Sequence, residues 1–133
     1  MNPKKIWANL AVSDLDRTTD FYSKLGFKPN GAHHSNELTS FFVGDDNFVI
    51  HFFLKEILKS NTKTEIVDSH QQMEVIFTIS AESKSQVDLW EKEVEPAGGK
   101  IISRPETFGK DYYGFVFADP DGHRFNVFYM AGL

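Results

Sequence analysis

Residues 124–130 alternate in a period of two. Phe125, Val127 and Tyr129 fall on one side; Arg124, Asn126, Phe128 and Met130 fall on the other. That period belongs to a β-strand with one face turned to a core. Residues 113–118 read as the strand before it, and Asp119-Pro120-Asp121-Gly122 as the tight turn between them. Pro120 pre-sets φ at the first central position, Asp121 suits the second, and Gly122 takes the positive φ that closes the hairpin.

The same reasoning runs back along the chain. Residues 6–12 are strand-like, and Ser13 or Asp14 caps a helix that reaches residue 25. Leu15, Thr18, Thr19, Tyr22 and Leu25 share a helical face, and Gly26 supplies the left-handed C-terminal residue. A weak polar edge strand over 27–35 follows, then strands over 38–43 and 48–54 around a turn at 44–47. The order then recurs. A strand is expected over 73–80, and Ser83-Lys84-Ser85-Gln86 has capping-box spacing. Val87, Trp90, Val94 and Ala97 trace a buried helical stripe that stops at Gly98-Gly99, with Pro96 disturbing its last turn. Strands over 100–104, 113–118 and 124–130 complete it. One β-α-β-β-β unit is thus written twice, over 1–55 and 73–133, with a polar connector at 56–72 that begins near a possible helical turn. The fold class is α+β, a single domain in which tandem modules form a curved, cup-shaped mixed sheet with the helices outside.

Composition narrows the function. The 133 residues suffice for one domain with a shared core. Thirteen Phe point to an aromatic interior or pocket. A net charge of −5 without a basic cluster argues against nucleic acid as a partner. Cysteine is absent, which removes disulfides, thiolate chemistry and Cys-ligated zinc. No apolar run has membrane or signal-peptide length, so a cytoplasmic protein without a membrane partner is expected.

Asn9-Leu10-Ala11-Val12-Ser13-Asp14-Leu15, Asp20-Phe21-Tyr22, Leu25-Gly26-Phe27, Ala97-Gly98-Gly99 and Phe117-Ala118-Asp119-Pro120-Asp121-Gly122-His123 carry a family resemblance. Over nearly the whole chain the sequence resembles the vicinal oxygen chelate superfamily, which includes glyoxalase I, fosfomycin-resistance enzymes, extradiol dioxygenases and bleomycin-binding proteins. Its start, Ile6-Trp7-Ala8-Asn9-Leu10, is most similar to the lactoylglutathione lyase-like branch. The resemblance implies a homodimer and a ligand held in the cup. Metal-dependent members place one ligand on each of four strands, and the matching positions are Trp7, His51, Glu74 and Asn126. Indole offers only a donor, and a neutral amide suits zinc or nickel poorly. His51 and Glu74 alone could hold a metal, fewer than the three protein ligands of a catalytic zinc. No cofactor is therefore expected, and a divalent metal is disfavoured.

Two main readings of the cup stay open, beside a metal-dependent lyase or dioxygenase with an atypical ligand set and a structural dimer with a vestigial cup. In the first, a lyase- or isomerase-like enzyme moves a proton beside a carbonyl. Glu74 is its base, with a pKa raised by apolar walls, His51 is its partner, and Asn126 or Arg124 is the oxyanion-side group. In the second, the chain sequesters a small oxygen-bearing or aromatic molecule without chemistry. Trp7, Phe53, Ile76, Phe115 and Phe128 line the walls, with Asn9, Thr78 and Asn126 as hydrogen-bonding groups. Each residue also has a plainer role. His51 can be a wall histidine, Glu74 can sit in water at a frayed strand start, and Arg124 can be solvated beyond the turn. His33 and His34 read as exposed. The stretch 105–114 reads either as a loop able to close over a ligand or as an ordinary connector.

Overall fold

The computed structural model describes residues 1–109 and 111–132. The chain divides into two compact units, Met1–Val67 and Asp68–Leu133. Each holds a four-stranded mixed sheet. Three α-helices accompany the sheets among the described residues. None is long and apolar enough to cross a membrane.

In the first unit, β1 (Trp7–Val12) leads into α1 (Leu15–Lys24). The Asp14 carboxylate accepts from the Arg17 amide at 3.0 Å and so caps the helix. Next come β2 (Lys28–Pro29), β3 (Leu38–Val43) and β4 (Phe48–Leu54), in sheet order β1-β4-β3-β2. β1 runs parallel to β4, and the other pairs are antiparallel. The edge strand expected over 27–35 shrinks to two residues. A 3-10 turn at Gly31–His33 takes its place, with the His33 amide bonded to the Asn30 carbonyl at 3.1 Å. The connector carries more than one helical turn: α2 spans Lys55–Thr62.

Alternation decides which face α1 covers. Val12, Phe41, Ile50 and Phe52 project to one side and are buried with Phe21 and Tyr22. Tyr22 stacks on Phe52 with ring centroids 4.5 Å apart, and Phe21 meets Tyr22 edge-on at 4.9 Å. Each such side chain contributes about 1.5–3 kcal/mol by leaving water.

The second unit repeats the order with β5 (Phe77–Ser80), α3 (Lys84–Ala97), β6 (Lys100–Phe108), β7 (Tyr112–Ala118) and β8 (Arg124–Met130). Its sheet order is β5-β8-β7-β6. The Ser83 hydroxyl accepts from the Gln86 amide at 3.0 Å, and Gln86 Oε1 reaches back to the Glu82 amide at 2.7 Å. Val87, Val94 and Ala97 of α3 are buried, as are Phe115, Phe117, Phe125 and Val127. Phe117 and Phe125 stack at 5.3 Å. β5 starts four residues later than expected, so Glu74 precedes the strand at a bend. β6 continues through 105–108, so most of the supposed loop is a hairpin. Lys110 of that stretch lies outside the described residues. The ladder between β6 and β7 shifts register between Ser103 and Glu106, where Pro105 has no N–H to offer.

The turn between β7 and β8 is tied by Asp119. Its carboxylate is buried, and Oδ1 accepts from the amides of Asp121 at 3.0 Å and His123 at 2.8 Å. Oδ2 lies 2.8 Å from His123 Nδ1. Gly122 has φ +94°, and a Cβ there would lie 2.6 Å from the backbone nitrogen of His70. Gly26 has φ +89° but open space around it. Gly122→Ala is therefore expected to cost about 3 kcal/mol, strain plus overlap. Gly26→Ala should cost about 1–2 kcal/mol, strain alone. Urea denaturation of both variants checks the ordering, and equal losses would mean that residues 69–70 do not press on the turn.

Candidate functional site

The face of the first sheet that α1 leaves uncovered carries the polar positions of its strands. The ladder places Asn9 of β1 beside His51 of β4, and His51 beside Ser40 of β3. One step along, Ala11, Phe53 and Leu38 share the row; one step back, Trp7, Val49 and Phe42 do. Trp7 is 52% exposed, which is unusual for the largest apolar side chain. His51 is half-buried and meets Phe53 edge-on at 5.9 Å.

His51 is held from one side. Its Nδ1 lies 2.8 Å from the Ser40 hydroxyl, and Asn30 Nδ2 donates to the same hydroxyl at 3.2 Å. The Asn30 amide also donates to the Ser40 carbonyl at 2.9 Å. The exposed His33 ring stands 5.4 Å from the His51 ring, centroid to centroid. Burial pushes the His51 imidazole below its ordinary pKa of 6.5, and the charge His33 can carry pushes it the same way. His51 is thus neutral at physiological pH.

In the second sheet, the face away from α3 carries Thr78, Asn126 and Phe128. Thr78 pairs with Asn126 in the ladder, and Asn126 Nδ2 approaches Thr78 Oγ1 at 3.5 Å. Tyr112 tilts over Phe128 at 5.3 Å. Four candidates are placed or engaged otherwise than the sequence suggests. Phe115 points to the helix-covered side and is 1% exposed, because β7 alternates and its partner Val127 is a core residue. It is a core side chain rather than a wall of the open face. Glu74 is exposed and outside β5, so it has no apolar strand environment around it. Ile76 is 40% exposed just ahead of the same strand. Arg124 shares a face with Asn126, but its Nη1 donates to the carbonyls of Ser69 at 3.0 Å and Gly122 at 2.8 Å. It fastens the approach to β5 against the turn.

The donor set does not fit the four-ligand centre of the metal-dependent relatives. Trp7 has no lone pair to give and Asn126 is neutral. Among the described residues no three His, Cys, Asp or Glu side chains gather to hold an ion. Asn30, Ser40, His33 and Tyr112 were not legible as site residues. Ser40 follows from the pairing of β3 with β4, but Asn30 and His33 reach His51 only through the 3-10 turn.

Comparison with solved structures gives the same architecture. A hypothetical protein from S. aureus is 26% identical, with TM-score 0.84, covering 97% of this chain and 95% of that one. A glyoxalase-related enzyme from Fulvimarina pelagi is 19% identical, with TM-score 0.81 and coverage of 96% and 88%. A lactoylglutathione lyase from Agrobacterium tumefaciens is 20% identical, with TM-score 0.69 and coverage of 96% and 95%. At 19% and 20% identity these last two establish the fold alone. No curated protein matches the sequence. The family model matches residues 6–127, nearly the whole of both repeated units. The chain therefore belongs to the Glyoxalase/Bleomycin resistance protein/Dioxygenase superfamily.

Proposed function

We propose that this family member binds a small oxygen-bearing or aromatic molecule against the uncovered face of its first sheet, with His51 as the central polar contact and without a metal ion. The observation that carries this reading is a neutral, half-buried imidazole held by Ser40 on a face that also carries Trp7, Asn9 and Phe53. Apolar walls around a few fixed polar groups are the usual make-up of a small-molecule site. Asn9 offers an amide beside His51, and Trp7 and Phe53 offer apolar area on either side along the strands. A neutral imidazole can polarise a carbonyl without carrying a charge of its own. In the second unit, Asn126 is proposed as a polar contact of that unit's own sheet face, with Thr78 opposite it in the ladder and Phe128 two residues further along the same strand.

The test is a screen of aromatic carboxylates and hydroxyketones by thermal shift and by amide NMR. Binding should move the signals of Asn9, His51 and Phe53, and His51→Ala should weaken it by roughly tenfold or more, the loss of one hydrogen bond in a partly desolvated site. Ligands that raise the melting temperature while leaving those signals unmoved would locate binding elsewhere.

The lowered His51 pKa also has a consequence for stability. The unfolded chain takes up the proton first as pH falls, so the stabilising contribution is complete above 6.5 and is lost as pH drops through the folded value. His51→Gln is expected to flatten the acid limb of a urea midpoint-versus-pH curve below about pH 6.5. Superimposable limbs would mean that His51 is not desolvated.

A further inference from the structure

What holds the Nδ1 side of His51 sets what its Nε2 side recognises. A serine hydroxyl has one proton and two lone pairs, whereas an amide nitrogen only donates. Asn30 Nδ2 donates to Ser40 Oγ and occupies one lone pair. Ser40 is 2% exposed, and the one other partner of its hydroxyl among the described residues is His51 Nδ1 at 2.8 Å. The hydroxyl proton is thereby directed to Nδ1. A ring that accepts at Nδ1 carries its own proton at Nε2.

Asn30 is itself fixed. It is 6% exposed, its amide donates to the Ser40 carbonyl at 2.9 Å, and its carbonyl accepts from the His33 amide at 3.1 Å. We propose that Asn30 and Ser40 are positioning residues that hold His51 in the Nε2–H tautomer, so that the atom this face recognises is an acceptor oxygen of a carbonyl, carboxylate or phenolate. The inference rests on the small-molecule reading above and names the chemical class it takes.

The polarity also explains the unsuitability for metal. An imidazole bound to metal ordinarily donates its second ring N–H to an acceptor, which makes the coordinating nitrogen more basic. Here a hydroxyl donates to that second nitrogen, the opposite arrangement. Nε2 then has a proton to give and no lone pair for an ion or for a ligand's acidic hydrogen. His51 serves on this face as an oxyanion-type donor.

Two-bond proton–nitrogen NMR on the full chain at neutral pH reads the tautomer directly. Wild type should show a pyrrole-type Nε2 and a pyridine-type Nδ1 for His51. Ser40→Ala should release the ring into a tautomer mixture, and Ser40→Thr, which keeps the hydroxyl, should preserve the wild-type pattern. Benzoate and benzylamine serve as probes of acceptor and donor ligands. Benzoate should shift the Nε2 signal and bind about tenfold more weakly to Ser40→Ala. An Nδ1–H tautomer in wild type would overturn the proposal, since the chain from Asn30 would then run the other way. So would an unchanged tautomer in Ser40→Ala, or a preference for benzylamine at His51. If neither probe reaches this face while the Nε2–H tautomer is intact, the small-molecule reading fails and the relay stands.

Discussion

Each sheet of this protein packs one face against a helix, and the packing of aromatic rings on that face dictates everything on the other. In the first unit Phe41, Ile50 and Phe52 must meet Phe21 and Tyr22, which are wholly buried. A strand has no freedom to bury two successive residues on the same side. Fixing Phe52 inward therefore fixes His51 and Phe53 outward, and the ladder then brings Asn9 and Ser40 alongside His51. In the second unit, stacking of Phe117 on Phe125 fixes Asn126 on the outward face in the same way. A slip of one residue would exchange these faces at the cost of several buried rings, so register and site are specified together.

The polar residues outside the ladders show where charge and hydrogen bonding are used for architecture. Asp119 satisfies two backbone amides of its own turn, and Arg124 joins that turn to residue 69. Arg124 looks like candidate chemistry when only its charge is considered. The neighbours of Asp119 and Arg124 show that the turn and the approach to β5 depend on them. His51 differs because Nε2 has no partner among the described residues, while Nδ1 is fully engaged.

Much of this organisation can be read from residue order. The strands at 38–43, 48–54 and 124–130, the caps at Asp14 and Ser83, and the turn at 119–122 all rest on local rules of period and φ. The outward placement of His51, Asn126 and Phe128 follows from alternation. What residue order conceals depends on pairing partners. β5 can begin only where β8 offers a ladder, at Phe125, which strands Glu74 ahead of it. Phe115 reads equally well as a wall or as core until β7 is aligned with Val127. The His33 and Asn30 contacts depend on a 3-10 turn where propensity suggested an extended edge.

β6 has a consequence of its own. It forms an outer rim of the second sheet, and it carries Pro105 together with two breaks in register. A strand from another molecule would find no continuous row of amides there to zip onto, and the local kink would turn an incoming chain aside. Pro105 and the two register shifts thus make that border a poor template for strand addition.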